Sequence, residues 1–202
     1  MFRKFANLAA KTLGAVVLMA WAGTAAAQDV EIAEMQIGNP DAAVTVVEYA
    51  SYTCPHCANF HKNQYVDLKA NYIDTDKINF VYREVYFDRY GLWASMVARC
   101  DTDKFFGITD LIYKGQSEWA KGSPAEIADN LRKIGRVAGL SEEQLDSCLT
   151  DADKAQGLFA WYQQNAEADD ISSTPTFMIN GKQYSNMNYS EFESVLEGLL
   201  AE

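Results

Sequence analysis

Cys54 and Cys57 stand three positions apart in Cys54-Pro55-His56-Cys57, directly after the apolar run Val44 to Tyr49. Two thiols at that spacing can close a small disulfide ring and release it again, so the chemistry on offer is dithiol-disulfide exchange. The two sulfurs should not be equivalent. At a helix start, Cys54 meets unpaired backbone N-H groups and the positive end of the helix dipole, which favour a thiolate, while Cys57 lies one turn in and is buried. In that setting the first thiol falls to ~3.5 to 7.5 from a free value near 8.5. A drop of three units favours the reduced pair by ~4 kcal/mol and makes the oxidised pair a strong oxidant. Pro55 withholds an N-H, whereas His56 offers a donor or a positive charge beside the sulfur.

Other uses of the same residues are less well served. A structural zinc site with His56 or His61 needs four well-placed ligands, and His56 is held in the same tight turn as the cysteines. Haem attachment requires His directly after the second cysteine, and residue 58 is Ala. Glu48 lies six residues before Cys54 in an otherwise apolar run, where an unpaired carboxylate is costly. It either sits at an edge with its side chain in water, or lies buried beneath the cysteine pair and relays a proton for Cys57. His61 falls one turn below Cys57 on the same helix face. A hydrogen bond to Glu48, a place in the core and a solvated ring all remain open for it.

The elements that must hold these residues follow from periodicity. Residues 44 to 49 are β-branched and mostly apolar, as in a strand buried on both faces. After the cysteine turn, Cys57, His61, Tyr65, Leu68 and Tyr72 recur at helical spacing, and a strand from Ile78 to Phe87 completes a βαβ pattern with a parallel pair. From Gly91 to about Asp170 the periodicity is helical throughout, over Leu92 to Ala98, Phe105 to Tyr113, Pro124 to Ala138, Ser141 to Leu149 and Ala155 to Ala166. Ser123-Pro124 with Glu126, and Ser141 with Gln144, mark two helix starts. Strand character returns at Thr176 to Ile179, Asn180-Gly181 gives a hairpin turn, Gln183-Tyr184 begins the return strand, and an amphipathic helix covers Ser190 to Leu200. The expected architecture is α/β: βαβ, a helical insertion, then ββα.

Compartment and charge limit the partners. Arg3, Lys4 and Lys11 precede the apolar run Leu13 to Ala22, which ends in small residues before Ala25-Ala26-Ala27, the pattern of a secretory signal peptide cleaved near Ala27. The run falls below the ~20 residues needed to span hydrocarbon. Three of the 17 basic residues and none of the 28 acids lie before the cleavage point, which leaves the remainder at 14 − 28 = −14. That is the opposite of a nucleic-acid footprint, so no nucleic-acid partner is expected.

Together the Cys54-Pro55-His56-Cys57 turn after a strand, the late Thr174-Pro175-Thr176-Phe177 and the helical insertion resemble the DsbA-like thiol:disulfide oxidoreductases of the thioredoxin superfamily. The resemblance covers essentially all of residues 28–202. It implies a thioredoxin fold interrupted by an inserted all-helical domain, with the thioredoxin part split between residues 28–90 and 171–202 and the insertion at 91–170. It also implies Cys54 as the attacking, mixed-disulfide cysteine, Cys57 as the resolving one, and Pro175 as a cis-proline facing them, with the Thr174 backbone exposed to an extended substrate. Related enzymes carry an acid at the Glu48 position, and often another where this chain has His61. Thr174 departs from the valine of the best-known strong oxidases and resembles isomerases and other branches. Cys100 and Cys148, in the helical block, are either free and buried or bridged. In an exporting context an even pair more often bridges, and the same pair recurs in a branch of this family, so a structural Cys100-Cys148 disulfide is expected.

The function expected is therefore an exported, periplasmic oxidoreductase, monomeric and with no cofactor or metal, that introduces disulfides into reduced cysteine-containing client proteins. The family's oxidases are recycled by a quinone-linked membrane redox partner. A reductase or isomerase using the same residues is the nearest rival, and a non-catalytic peptide-binding or chaperone module is the more distant one.

Overall fold

The computed structural model describes residues 30–201; the signal-peptide expectation for residues 1–27 lies outside them. Five strands form one mixed sheet: β1 (Met35–Gly38), β2 (Val44–Ala50), β3 (Ile78–Glu84), β4 (Thr176–Ile179) and β5 (Lys182–Ser185), in the spatial order β1-β3-β2-β4-β5. The β2 and β3 strands run parallel, as the βαβ pattern requires, and the other three pairings are antiparallel. β2 lies at the centre because its β-branched residues tolerate burial on both faces.

Register decides what the sheet presents to the site. Glu48 is opposite Tyr82 on β3 and Phe177 on β4, so these three side chains form a row on one face of the sheet. Tyr49, Arg83 and Thr176 form the next row on the other face. The first row is covered by α1 (Pro55–Asn63), whose Phe60 packs at a tilt against Phe177 with ring centroids 4.8 Å apart. Phe192, on α9 (Tyr189–Leu200), closes the same cluster 5.0 Å from Phe177. On the second face Tyr49 donates to Asp169, 2.5 Å away, just past α8 (Ala152–Ala168).

Between β3 and β4 the chain is helical. It runs through α3 (Arg89–Ala98), α4 (Phe105–Lys114), the short α5 (Gln116–Trp119), α6 (Pro124–Val137), α7 (Glu142–Thr150) and α8. The Ser123 and Ser141 capping boxes are both formed, with Glu126 and Gln144 as reciprocal partners. Asn180 and Gly181 both have positive φ, the conformation of a two-residue hairpin turn, and the Asn180 side chain accepts from Thr45 N at 2.8 Å to pin that turn to β2.

Three elements differ from the periodicity. β3 ends at Glu84 rather than Phe87, because Val85 makes one more bond to Ala50 O and the chain then turns to the Asp88 cap of α3. Val85 and Tyr86 are apolar through burial, not strand pairing. The helix after Cys57 is broken: α1 stops at Asn63, α2 covers Tyr65–Leu68, and a π-helical turn runs from Lys69 to Ile73. The apolar face continues across both breaks, so the spacing gave no sign of them. β1 is four residues long, too short for alternation to show, and ends at Gly38, whose φ of 95° places any Cβ against the Ile78 carbonyl.

Candidate active site

The site grows from the end of β2. Its last residues lead into Ser51-Tyr52-Thr53, and the Cys54 N-H bonds back to Ser51 O at 3.0 Å. Cys54 is the N-cap of α1, in extended conformation, and its carbonyl accepts from Ala58 N at 3.1 Å. Pro55 occupies the first helical position, where its missing N-H costs nothing. Cys54 is 8% exposed and Cys57 is fully buried, and both are free thiols in this structure.

The helical insertion clamps this turn from outside. Gln116 Nε2 donates to the carbonyls of Tyr52 (2.8 Å) and Cys54 (2.9 Å), while the Tyr52 hydroxyl pairs with Thr109 Oγ1 at 2.8 Å. Gly91 of α3 lies close enough to the turn that a Cβ there would meet Ser51 Oγ at 3.4 Å. None of these residues carries a sequence signal. Gln116 sits in a four-residue helix without periodicity, and only the fold brings it to Cys54.

From the far side the loop before β4 approaches. The Thr174-Pro175 peptide bond is cis, and Cys54 Sγ lies 3.5 Å from the Thr174 carbonyl oxygen, donating to it as a thiol. His56 has an exposed ring and contributes to the sulfur through its backbone N-H. Cys100 and Cys148 are joined by a disulfide between the end of α3 and α7, with Cα atoms 5.7 Å apart. It stands apart from the redox turn, in the wall of the insertion.

The electrostatics divide the two thiols. Cys54 is lowered to about 5, first by the hydrogen bond that the Cys57 thiol donates to it, then by Thr174 and the backbone N-H groups of Cys57 and His56, against the opposing effect of burial. Cys57 is pushed far above the ordinary thiol range, chiefly by burial and by the same shared hydrogen bond, with the charge of Glu48 adding to it. One sulfur is a thiolate at neutral pH and the other a thiol.

Glu48 is fully buried beneath this pair, on the α1 side of the sheet, rather than at an edge in water. His61 is 4% exposed, and its Nε2 lies 2.9 Å from Glu48 Oε2 and 3.2 Å from Oε1, the ring N-H donating to the carboxylate. Of the three possibilities the sequence left for His61, the structure combines the hydrogen bond with a place in the core. The ring also stacks on Tyr113 of α4 at a centroid distance of 4.1 Å.

A redox turn at a helix N-terminus, a cis X-Pro bond beside it and a helical insertion in a five-stranded mixed sheet form a specific combination. The family model described as thioredoxin matches residues 31–198. The chain belongs to the thioredoxin family. Among solved structures it resembles Wolbachia pipientis alpha-DsbA1, with a TM-score of 0.76 at 24% identity over 83% of this chain and 91% of that one. It also resembles oxidised BdbD of Bacillus subtilis, with a TM-score of 0.70 at 21% identity over 84% and 94%. The fold of this thioredoxin-family member is thus the DsbA form, with its helical insertion. A Rickettsia bellii relative named as a protein-disulfide oxidoreductase is 34% identical over 84% of this chain and 65% of its own length. A Rickettsia conorii relative so named is 35% identical over 84% of this chain and 61% of its own. The chain therefore spans under two thirds of the length of these curated relatives. Disulfide bond formation protein D of Bacillus subtilis is 25% identical over 80% of this chain and 74% of its own.

Proposed function

We propose that this chain is an exported thiol:disulfide oxidoreductase that introduces disulfides into reduced client proteins. The observation that carries the proposal is the division of the two thiols, Cys54 lowered to about 5 and Cys57 raised far above its ordinary range. A client thiolate attacks Cys54 Sγ of the oxidised pair; the Cys54-Cys57 bond breaks and Cys57 leaves, taking a proton. A second client thiolate then attacks the client sulfur of the mixed disulfide, and Cys54 leaves as a stable thiolate. The client loses two electrons and the cysteine pair gains them, with no cofactor.

A low Cys54 pKa favours this direction because it stabilises the reduced pair. In this proposal Thr174 and Pro175 form the substrate edge beside Cys54, and Pro55 and His56 shape the turn. Glu48 serves proton movement at Cys57, and Cys100-Cys148 braces the insertion. The three parts of the chain, 28–90, 91–170 and 171–202, act as one monomer in the periplasm after removal of residues 1–27. A quinone-linked membrane protein would return the pair to its oxidised state.

The test is stoichiometric oxidation. The purified oxidised protein, mixed with an equimolar reduced, unfolded two-cysteine client, should yield one client disulfide per Cys54-Cys57 pair reduced. If the reduced protein instead opens the client's disulfide while the oxidised protein leaves the reduced client untouched, the direction is that of a reductase.

A further inference from the structure

Apart from the redox turn, a groove of about 840 Å³ opens at the β1 edge of the sheet, roomy enough for a short peptide segment. Its floor is the edge strand β1, one wall is α2 with the π-helical turn after it, and the other is the face of α4 from Asp103 to Lys114. That wall is about 16 Å long at 1.5 Å per residue, the length of about five extended residues. Val66 is 54% exposed on the α2 side. Gly107 lies in the middle of α4, where glycine is unfavourable relative to alanine, and a Cβ there would meet nothing within 4 Å. Packing does not require that glycine, and it leaves the wall of the groove flat.

The floor offers backbone groups. Asn39 N-H bonds to Ile78 O at 3.1 Å, so by the antiparallel alternation Met35 and Ile37 turn their N-H and C=O groups to β3, while Gln36 turns its own outward. On that outward side β1 has no neighbouring strand among the described residues, which leaves it open to strand addition. The rim is charged unevenly. Lys114 is paired with Asp110 at 2.6 Å and Lys69 with Asp74. Glu34 is held by Arg83, which leaves Asp103 as the lining charge without an opposite partner among the described residues. Tyr65, 7% exposed, stands in the wall, and its buried hydroxyl has no hydrogen-bond partner among the described residues although the charges of Asp110 and Asp74 both act on it.

We propose that this groove is a second polypeptide-binding site, which adds an extended client segment to β1 as a strand, with apolar side chains entering the groove and a lysine or arginine at the Asp103 end. Gln36 supplies main-chain pairing, and Asp103 selects the basic end. The acidic balance of residues 28–202, with 28 acids against 14 bases, draws basic segments toward the protein. At the other end of the wall, Lys114 is two residues from Gln116, the donor to the Cys54 carbonyl, so a chain held here leads toward the redox turn. Holding the client at two points raises the local concentration of its cysteines at Cys54.

In calling the occupant a client, the inference rests on the thiol exchange proposed above, but the groove is tested without thiols. A cysteine-free peptide of about ten residues, alternating leucine and threonine with a lysine at each end, is labelled with fluorescein and titrated with the full reduced chain while anisotropy is read. Saturable binding is expected, weakened about tenfold by Gly107→Leu, which fills the groove, by Asp103→Lys, and by exchange of the peptide's lysines for glutamate. Methylating one alternate set of peptide nitrogens should abolish binding while methylating the other set should not, because strand addition uses every second N-H. Binding with no loss in either protein variant would place the peptide elsewhere and overturn the inference, as would absence of saturable binding or equal effects of the two methylated sets. If Gly107→Leu does not fold, Asp103→Lys, at an exposed side chain, and the methylated peptides on the wild type still decide. A dimer that becomes monomeric in Gly107→Leu would give the groove to a second copy and overturn it too. Peptide binding by a protein that fails to oxidise reduced clients would keep the groove and remove the exchange reading; oxidation without peptide binding would do the reverse.

Discussion

At the residue scale, two thiols in one turn are driven in opposite directions by where they sit. Cys54 is held at about 5 foremost by a hydrogen bond from the Cys57 thiol and only later by backbone N-H groups. Removing that donor in Cys57→Ala should therefore raise the Cys54 midpoint by a unit or more, at ~1.4 kcal/mol per unit. His56→Ala keeps the backbone N-H, and its ring is exposed, so it should move the midpoint less. Ultraviolet thiolate absorbance against pH on the two reduced variants compares them. A larger shift in His56→Ala would give the ring charge the leading role. The cysteines and their turn were legible in the sequence because adjacency along the chain defines them, whereas the cis bond before Pro175 followed only from the resemblance to the DsbA-like enzymes. Gln116 was not legible, and the Glu48-His61 bond was only one of three possibilities the sequence left for His61, since each joins residues from separate elements whose meeting depends on register and packing.

At the element scale, the insertion and the sheet are coupled by buried polar contacts. Gln116→Ala removes the side-chain donor to the Tyr52 carbonyl and the second of two donors to the Cys54 carbonyl, which keeps Ala58 N. At ~1 kcal/mol per hydrogen bond it should cost about 1–2 kcal/mol in urea unfolding, and should slow the reaction of Cys54 with small disulfides. An unchanged Cys54 rate would show that the turn holds its shape alone. Deeper in, Arg99 at the end of α3 binds Glu84 at the end of β3 through two bonds of 2.6 and 2.7 Å, both side chains being at most 3% exposed. Arg99→Met strands the Glu84 charge and should cost ~3–5 kcal/mol, whereas Arg99→Met with Glu84→Leu should recover much of it. Equal losses in the single and double variants would mean that packing, not charge, dominates there. Periodicity supplied the helical block and the central strands, where apolar spacing and caps agree. It overran β3 and hid the break after α1, because burial makes a turn or a π-helical segment as apolar as the element beside it.

At the scale of the whole molecule, redox state and stability are linked through Cys54. Its thiol is depressed in the fold, so its contribution to the reduced protein is complete above the ordinary value of 9.0 and is lost as pH falls to about 5. Reduced protein should lose stability relative to oxidised protein across that window and change little below it, as read from urea midpoints of the two forms at a series of pH values. A constant difference from pH 9 to 5 would contradict the assigned thiolate. The Cys100-Cys148 disulfide lies in the insertion that clamps the turn, and its loop restricts the unfolded chain by at most ~4 kcal/mol. The most direct measurement of the central claim, that the fold stabilises the reduced Cys54-Cys57 pair, is its reduction potential, obtained by equilibration with glutathione buffers. The division of the two thiols predicts a potential well above the ~−270 mV of thioredoxin, toward the oxidising end of the superfamily. A value at or below that of thioredoxin would contradict it.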